Sequence, residues 1–160
     1  MDVIERAIEQ WHCEVPGLNT EPLAIIGRIL RISKHLESEM ARLHKLYELK
    51  PGEFDVLVSL FRSGAPHALT PSDLIDAMIL TSGAMTNRLD KLEHKSLIVR
   101  IHSEIDRRSV KVQLTESGYH LINNILREHI ALQENLIAQI NPSERPELNQ
   151  LLTTWLSQFE

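Results

Sequence analysis

Two short helical segments, followed at once by two alternating segments, constrain the fold of this chain more than any other feature. The first helix is predicted to begin at the stretch "TPSD", where Thr70 supplies a capping hydroxyl, a proline takes the first helical position and an acid lies in the first turn. It should end near Met78. The second follows within "LTSGAMTNRLDKLEHKSL", with Thr81 or Ser82 as its cap. Two short helices joined by a turn of a few residues form a helix-turn-helix.

The next two segments alternate between apolar and polar residues, as strands do. They run from Leu97 to His102 and from Ser109 to Thr115, and Arg107 and Arg108 lie in the loop between them. A helix-turn-helix followed directly by a β-hairpin is a winged helix. The predicted fold class is therefore mainly α with a small β-hairpin wing (α+β), a winged helix-turn-helix flanked by N- and C-terminal dimerisation helices.

The flanking helices are predicted from apolar residues that recur at helical spacing. The predicted helices cover residues 2–13, Pro22 to about Leu49, a helix from Pro51, a helix beyond Gly118 that carries Leu136 and Ile140, and a last helix that carries Leu148 to Phe159. The last helix is apolar at every inward position up to the chain end. It either packs onto the single core or forms a dimer interface together with the N-terminal helix. We favour the homodimer, because a two-fold protein matches a palindromic DNA site.

Charge is distributed unevenly along the chain. The formal net charge is -5, yet residues 81–115 contain seven Lys and Arg against four Asp and Glu, which gives +3 there and -8 in the remainder. A local basic patch on an acidic protein is the electrostatic pattern expected of a DNA-binding surface.

The second helix of the helix-turn-helix carries side chains suited to the major groove of double-stranded DNA. Asn can pair with adenine and Arg with guanine, whereas Ser and Thr can contact phosphates. The alternative is an ordinary solvated helix face. The candidate DNA-binding residues on this helix are Ser82, Thr86, Asn87, Arg88 and Lys91.

The loop between the two strands adds Asp106, Arg107 and Arg108 to the candidate DNA-binding residues. Arginines inserted into a narrow minor groove exploit its negative potential. Asp106 should not face DNA and more plausibly pairs with one of the two arginines, although the sequence does not decide which one. The alternative is a charged turn that only aids solubility.

The stretch "TSGAMTNRLDKLEHKSLIVRIHSEIDRRSVKVQLTESG" resembles the recognition helix and wing of the multiple-antibiotic-resistance (MarR) regulators. The shared pattern is Thr-x-Arg-hydrophobic, Leu-Glu, a Leu-Ile/Val-x-Arg strand, Asp-Arg-Arg and Leu-Thr-x-x-Gly, and the resemblance extends over nearly the whole chain. It implies a homodimeric regulator, a repressor in the usual case, that binds a palindromic operator and is released by a small ligand, often an aromatic anion. Ser96 departs from the pattern, which has glycine there, so we expect another helix-ending conformation at this position.

Within that family, the chain looks closest to the urate-responsive branch, which includes the pectinase-gene repressor type. That branch has an extra N-terminal helix with the pattern Trp-x-x-x-x-Pro, matched here by Trp11 and Pro16. The resemblance implies a ligand set of Trp11, Asp55, Arg88 and Arg100. Trp11 would cover the flat ring of urate, and the two arginines would bind its oxygens by charge-assisted hydrogen bonds. Asp55 would repel the anion unless it accepts ring N–H bonds or swings away.

Each member of this ligand set also has a plainer explanation. Trp11 lies on the apolar face of its helix and could simply pack there. Asp55 stands in early turns of a helix, where the helix dipole favours an acid. Arg88 and Arg100 could contact phosphates only.

The resemblance and the helix pattern together predict three parts. Residues 1–50 form N-terminal helices for dimerisation and for covering the ligand, 51–116 form the winged helix-turn-helix, and 117–160 form C-terminal dimerisation helices. A different effector, for instance a phenolic ligand, stays open.

Other function classes find less support in the sequence. We detect no nucleophile elbow, phosphate-binding glycine loop or metal-ligand spacing, and therefore predict no enzyme, no metal and no cofactor. A thiol-based redox sensor through Cys13, the one cysteine of the chain, remains an alternative. Without a secretory signal or a bilayer-spanning apolar run, we expect a cytoplasmic protein with no membrane partner.

Overall fold

The computed structural model of the chain describes residues 1–78, 85–102 and 110–160. Two compact units are present, Met1–Pro51 and Gly52–Glu160. The elements are α1 (Val3–Glu14), α2 (Glu21–Leu46), α3 (Pro51–Arg62), β1 (Ala68–Leu69), α4 (Pro71–Ala77), α5 (Met85–His94), β2 (Ile98–His102), β3 (Val110–Leu114), α6 (Glu116–Leu136) and α7 (Arg145–Leu156).

The first unit consists of α1 and α2. A capping box begins α1, in which the Asp2 side chain accepts from the Glu5 backbone N–H and the Glu5 side chain accepts from the Asp2 N–H, each at 2.8 Å. The same two acids bind Arg28 of α2, with Nε 2.9 Å from Asp2 and Nη2 3.5 Å from Glu5. The two helices are close there, because a Cβ built on Gly27 would be 2.9 Å from the Ile4 side chain.

The second unit contains the helix-turn-helix elements, the small sheet and the two C-terminal helices. Its core forms where the apolar faces of α3, α4, α5 and α6 meet the inner face of the strands. Burying such side chains contributes roughly 1.5–3 kcal/mol each. The completely buried side chains include Val56, Leu57, Leu60, Leu74, Leu92, Val112, Ile122 and Ile125.

The sheet has three antiparallel strands in the order β1-β3-β2. In the hairpin, Ile98 pairs with Leu114, Arg100 with Val112, and His102 with Val110. Because side chains alternate along a strand, Arg100 shares a face of β2 with the buried Ile98 and is directed at α5. The two paired strands of the predicted wing are therefore observed, and α4 and α5 are the two helices expected before it.

Within the described residues, element bounds agree with the sequence pattern to within a few residues, and two larger differences stand out. Strand β1 was not predicted, since "RSGAPHAL" suggested only the end of α3; its two residues pair with Val112 and Gln113 of β3. The helix predicted to include Ile140 ends earlier, at Leu136. Periodicity cannot detect a strand of two residues, and it continues through the turns that follow α6.

The expectation for Ser96 was wrong. Ser96 adopts the left-handed backbone conformation, with φ of 57°, in the place where a glycine would end the helix. Its N–H donates to the Glu93 carbonyl at 2.8 Å, and the Leu97 N–H donates to the Leu92 carbonyl at 3.0 Å. These are the two hydrogen bonds of a Schellman motif, so the helix ends as it would with glycine but with a strained residue.

Candidate functional site

Helix α5 has one buried face and one exposed polar face. Of its candidate DNA-binding side chains, Thr86, Asn87 and Lys91 are exposed, and Arg88 is partly buried. The apolar residues recur at helical spacing and attach the helix to the core, which leaves the polar side chains available to a partner. The buried residues of α5 are Met85, Leu89 and Leu92.

Four of the candidate DNA-binding residues lie outside the described residues. Ser82 precedes α5, and Asp106, Arg107 and Arg108 belong to the segment between β2 and β3. The strands on either side of that segment are paired up to His102 and Val110.

Asp55 and Arg88, two of the four predicted ligand-binding residues, are neighbours between α3 and α5. A Cβ built on Gly52 in the first turn of α3 would stand 2.3 Å from Nε and 2.5 Å from Cζ of Arg88. Burial raises the pKa of Asp55 to about 6, and the positive charge of Arg88 partly offsets that rise. The pair thus combines a cation with a carboxyl group that takes up a proton close to neutral pH.

Arg100 joins the first wing strand to α5. Its Nη2 lies 2.6 Å from Oδ1 of Asp90, its Nη1 donates to the Glu93 carboxylate, and its backbone N–H donates to Oε1 of Glu93 at 3.2 Å. The hydrogen bond to Asp90 is the largest cause that holds the pKa of Arg100 above its ordinary value, followed by the bond to Glu93. Two carboxylates on α5 therefore compensate the charge of Arg100.

A second ion pair joins α3 to the end of α5. Nζ of Lys95 lies 2.8 Å from Oε2 of Glu53, and the Glu53 side chain is only 2% exposed. A carboxylate so deeply buried needs a partner. The pair therefore links α3 to the residue that follows α5, seven residues beyond Arg88.

Trp11 and Cys13 lie on α1 in the first unit. The Trp11 side chain is 43% exposed, so packing onto α2 does not account for the whole ring. Cys13 is also exposed.

The Leu-Thr-x-x-Gly motif has a structural explanation at the start of α6. Oγ1 of Thr115 accepts from the Gly118 N–H at 2.9 Å and donates to the Ser96 carbonyl at 2.8 Å. The Thr115 N–H donates to the Leu97 carbonyl at 3.1 Å. A Cβ on Gly118 would lie 2.0 Å from that same carbonyl oxygen. The threonine and the glycine therefore allow α6 to begin directly against the turn that ends α5.

Sequence reasoning missed the residues that support these side chains. Asp90 and Glu93 were counted only as charges, although their spacing of three places them on one side of α5. Gly52 beside Pro51 was an available signal, because glycine disfavours helices and usually has a packing reason there. The partner of Glu53 could not be inferred, since Lys95 lies 42 residues further along the chain.

Over residues 1–78, 85–102 and 110–160, no three His, Cys, Asp or Glu residues are grouped so that they could ligate a metal ion. None of the helices there has the length and apolar character required to cross a bilayer.

Sequence comparison relates the chain to transcriptional regulators. The model of the MarR family matches residues 49–110. The regulator PecS of Dickeya dadantii is 36% identical over 145 residues, which cover 91% of this chain and 87% of PecS. The regulator MhqR of Bacillus subtilis is 34% identical over 121 residues, which cover 75% of this chain and 79% of MhqR.

Solved structures have the same fold. AbsC, a MarR family regulator of Streptomyces coelicolor, superposes with a TM-score of 0.76 at 22% identity and covers 89% of this chain and 95% of its own. A mutant Escherichia coli MarR complexed with operator DNA gives 0.73 at 22% identity, over 88% of this chain and 99% of that one. An organohalide-sensing regulator with bound 2,4-dichlorophenol gives 0.77 at 20% identity, over 89% and 82%. These likenesses confirm the predicted fold class.

Proposed function

Because the chain belongs to the MarR family of DNA-binding transcriptional regulators, we propose that it is a repressor that binds a palindromic operator as a homodimer and is released by a small aromatic anion, urate or a close analogue. The prediction that the chain is not an enzyme is confirmed by its family. The proposal divides the chain as the sequence suggests, into residues 1–50, 51–116 and 117–160.

The exposed polar face of α5 supports the assignment of this helix to the major groove. Asn87 is the proposed adenine contact, and Thr86 and Lys91 are proposed phosphate contacts, all three being exposed. One of Arg107 and Arg108 is proposed to enter the minor groove and the other to pair with Asp106. Ser82 would contact phosphate ahead of α5.

The effector proposal rests on the proximity of Asp55 on α3 to Arg88 on α5. An anion that enters beside Arg88 gains a charge-assisted hydrogen bond. It also repels an ionised Asp55, which can relieve that repulsion by taking up a proton, because its pKa already stands at about 6. Since Arg88 belongs to the recognition helix, a ligand that holds Arg88 at α3 withdraws it from DNA. That gives the effector different contacts in the bound and free states, as allosteric coupling requires.

Arg100 is the second cation proposed for the effector, and Trp11 stays a proposed ring contact on the family resemblance alone. Arg100 would exchange a carboxylate of Asp90 or Glu93 for an oxygen of the effector, and this exchange would loosen β2 from α5.

Exposed apolar surface on α2 and α7 supports the homodimer. Helix α7 has no buried residue, although apolar side chains recur along it. Exposed apolar surface of this kind marks an interface. The strongly exposed apolar residues are Ile25, Ile26, Leu30, Ile32 and Leu46 on α2, Leu151, Leu152 and Leu156 on α7, and Phe159 just after α7.

Thermal unfolding with and without urate, xanthine and salicylate tests the effector. A specific ligand raises the melting temperature by mass action, so urate should raise that of the wild type and not that of Arg88→Ala. A shift with salicylate alone would assign a phenolic effector instead.

Binding to duplex DNA across a salt series tests the DNA function, because log affinity should fall linearly with log salt at a slope of about -0.9 per phosphate neutralised.

A further inference from the structure

We propose that Gly52 is a positioning residue for Arg88: the missing side chain at Gly52 leaves a place for the Arg88 guanidinium on the first turn of α3, and any larger residue would expel this cation. The inference deepens the proposed effector response and rests on it for its regulatory meaning. The dependence of the Arg88 side-chain position on Gly52 does not require that the protein responds to an effector.

The distances leave no room for a side chain between the two residues. A Cβ on Gly52 would lie 2.3 Å from Nε, 2.5 Å from Cζ and 2.9 Å from Nη2 of Arg88. Real Cβ contacts at such distances are essentially absent, so one group has to move. The atoms in question are the far end of a flexible side chain, and the guanidinium is therefore the group that moves most easily.

Each of the two helices is anchored, so that moving a whole helix disturbs more than moving one side chain. The ion pair between Glu53 and Lys95 at 2.8 Å links α3 to the residue after α5, and both helices bury apolar side chains in the core. An alanine at position 52 therefore displaces the Arg88 side chain more easily than α5. The buried apolar residues are Phe54, Val56 and Leu57 on α3 and Leu89 and Leu92 on α5.

Displacement of Arg88 changes the surroundings of Asp55 without removing any charge from the protein. The positive charge of Arg88 lowers the pKa of Asp55 against the effect of burial. With the guanidinium expelled, that opposing influence weakens. Arg88 itself stays on the recognition helix, where it can still contact DNA. The residue at position 52 therefore determines whether Arg88 can contact both DNA and the effector or only DNA.

The test compares Gly52→Ala with the wild type by NMR titration of the Asp55 carboxyl, assigned with Asp55→Asn. We expect a higher Asp55 pKa in Gly52→Ala. In an Arg88→Gln background, the same glycine replacement should leave the Asp55 pKa almost unchanged, because no positive charge remains at position 88 to be displaced. This double-mutant cycle isolates the coupling of the two sites. We also expect the effect of urate on DNA affinity to fall about fivefold or more, while DNA affinity without urate is retained.

Gly27→Ala is the matched control. It makes the same replacement inside a helix, and its Cβ also meets only the end of a side chain, Ile4 Cδ1 at 2.9 Å, but it lies in the first unit. It should leave the Asp55 titration unchanged. Gly52→Ser introduces the same Cβ and should repeat the result. If Gly52→Ala folds poorly, the Gly52→Ala, Arg88→Gln double variant should regain stability, because the clashing guanidinium is gone.

An unchanged Asp55 titration in Gly52→Ala overturns the inference, and so does a rise that persists undiminished in the Arg88→Gln background. If urate does not change the DNA affinity of the wild type, the proposed effector is contradicted. The Asp55 titration would still test the role of Gly52.

Discussion

Lys95, the residue directly after α5, forms a 2.8 Å ion pair with Glu53, whose side chain is only 2% exposed. Lys95→Met leaves that carboxylate buried without this partner. Breaking a buried pair costs about 3–5 kcal/mol, but the Lys95 side chain is 35% exposed, so we expect a smaller loss of about 2–3 kcal/mol. The free energy of unfolding in urea measures it.

A control variant separates the charge from the packing. Glu53→Gln combined with Lys95→Met removes both charges and should recover part of the stability lost in the single Lys95→Met variant. Simple additivity of the two replacements would contradict an interaction between them.

Asp55→Asn should make the protein more stable at neutral pH and less sensitive to pH in the acid range. The folded pKa of Asp55 is about 6, above its ordinary value of 3.8. The folded state therefore binds more protons than the unfolded state between these two values, and the contribution of Asp55 to stability falls as the pH rises from about 4 to 6. At about 1.4 kcal/mol per pKa unit, the full effect is at most about 3 kcal/mol, reduced by partial solvent exposure.

The measurement is a series of urea unfolding curves from pH 4 to pH 7 for the wild type and the asparagine variant. Asparagine imitates the protonated carboxyl, so the two curves of stability against pH should converge at low pH. A variant less stable than the wild type at pH 7 would show that attraction to Arg88 outweighs the cost of burial.

Ser96→Gly should stabilise the protein by about 1 kcal/mol. Ser96 has a φ of 57°, and a left-handed conformation costs a residue with a Cβ roughly 1–2 kcal/mol. The extra freedom of glycine in the unfolded chain offsets part of this gain. Thermal unfolding of the two proteins measures the difference, and no gain would mean that the Ser96 side chain contributes bonds that glycine lacks.

Arg100→Ala should weaken the response to urate more than it weakens DNA binding. Its bonds to Asp90 and Glu93 lie at a partly exposed surface, with 26% of Arg100, 59% of Asp90 and 40% of Glu93 exposed, and exposed ion pairs contribute only about 0–1 kcal/mol. DNA affinity with and without urate supplies both quantities. Equal losses in both would make Arg100 a support of the wing and not a contact of the effector.

Asn87→Ala and the double replacement of Arg107 and Arg108 by alanine should weaken DNA binding in different ways. Loss of a base contact at Asn87 costs about 1–3 kcal/mol on the preferred sequence and relaxes the preference for it. Loss of the two arginines should weaken binding to all sequences and reduce the salt slope. Competition between operator and random duplex across a salt series distinguishes the two, and a change in sequence preference from the arginine pair alone would contradict their assignment to the backbone and minor groove.

Local sequence signals were sufficient for the order of the elements other than β1, because each of these elements has its own mark. Thr70 caps α4, with its side chain accepting from the Asp73 N–H at 3.1 Å, and alternation marks β2 and β3. The candidate site could be predicted only as a set of residue types. That Asp55 meets Arg88, whereas Arg100 meets Asp90 and Glu93, depends on how α3, α5 and β2 pack, and no spacing along the chain encodes that packing.

The turn around Ser96 and the beginning of α6 have a practical consequence for protein engineering. The carbonyls of Ser96 and Leu97 are bound or closely approached by Thr115 and Gly118, so these two stretches are complementary to each other although the whole wing separates them. A chimeric regulator that takes its wing from one relative and its long C-terminal helix from another should therefore exchange residues 96–118 as a single cassette. A junction inside that range would place positions 115 and 118 of one relative against the carbonyls of positions 96 and 97 of another.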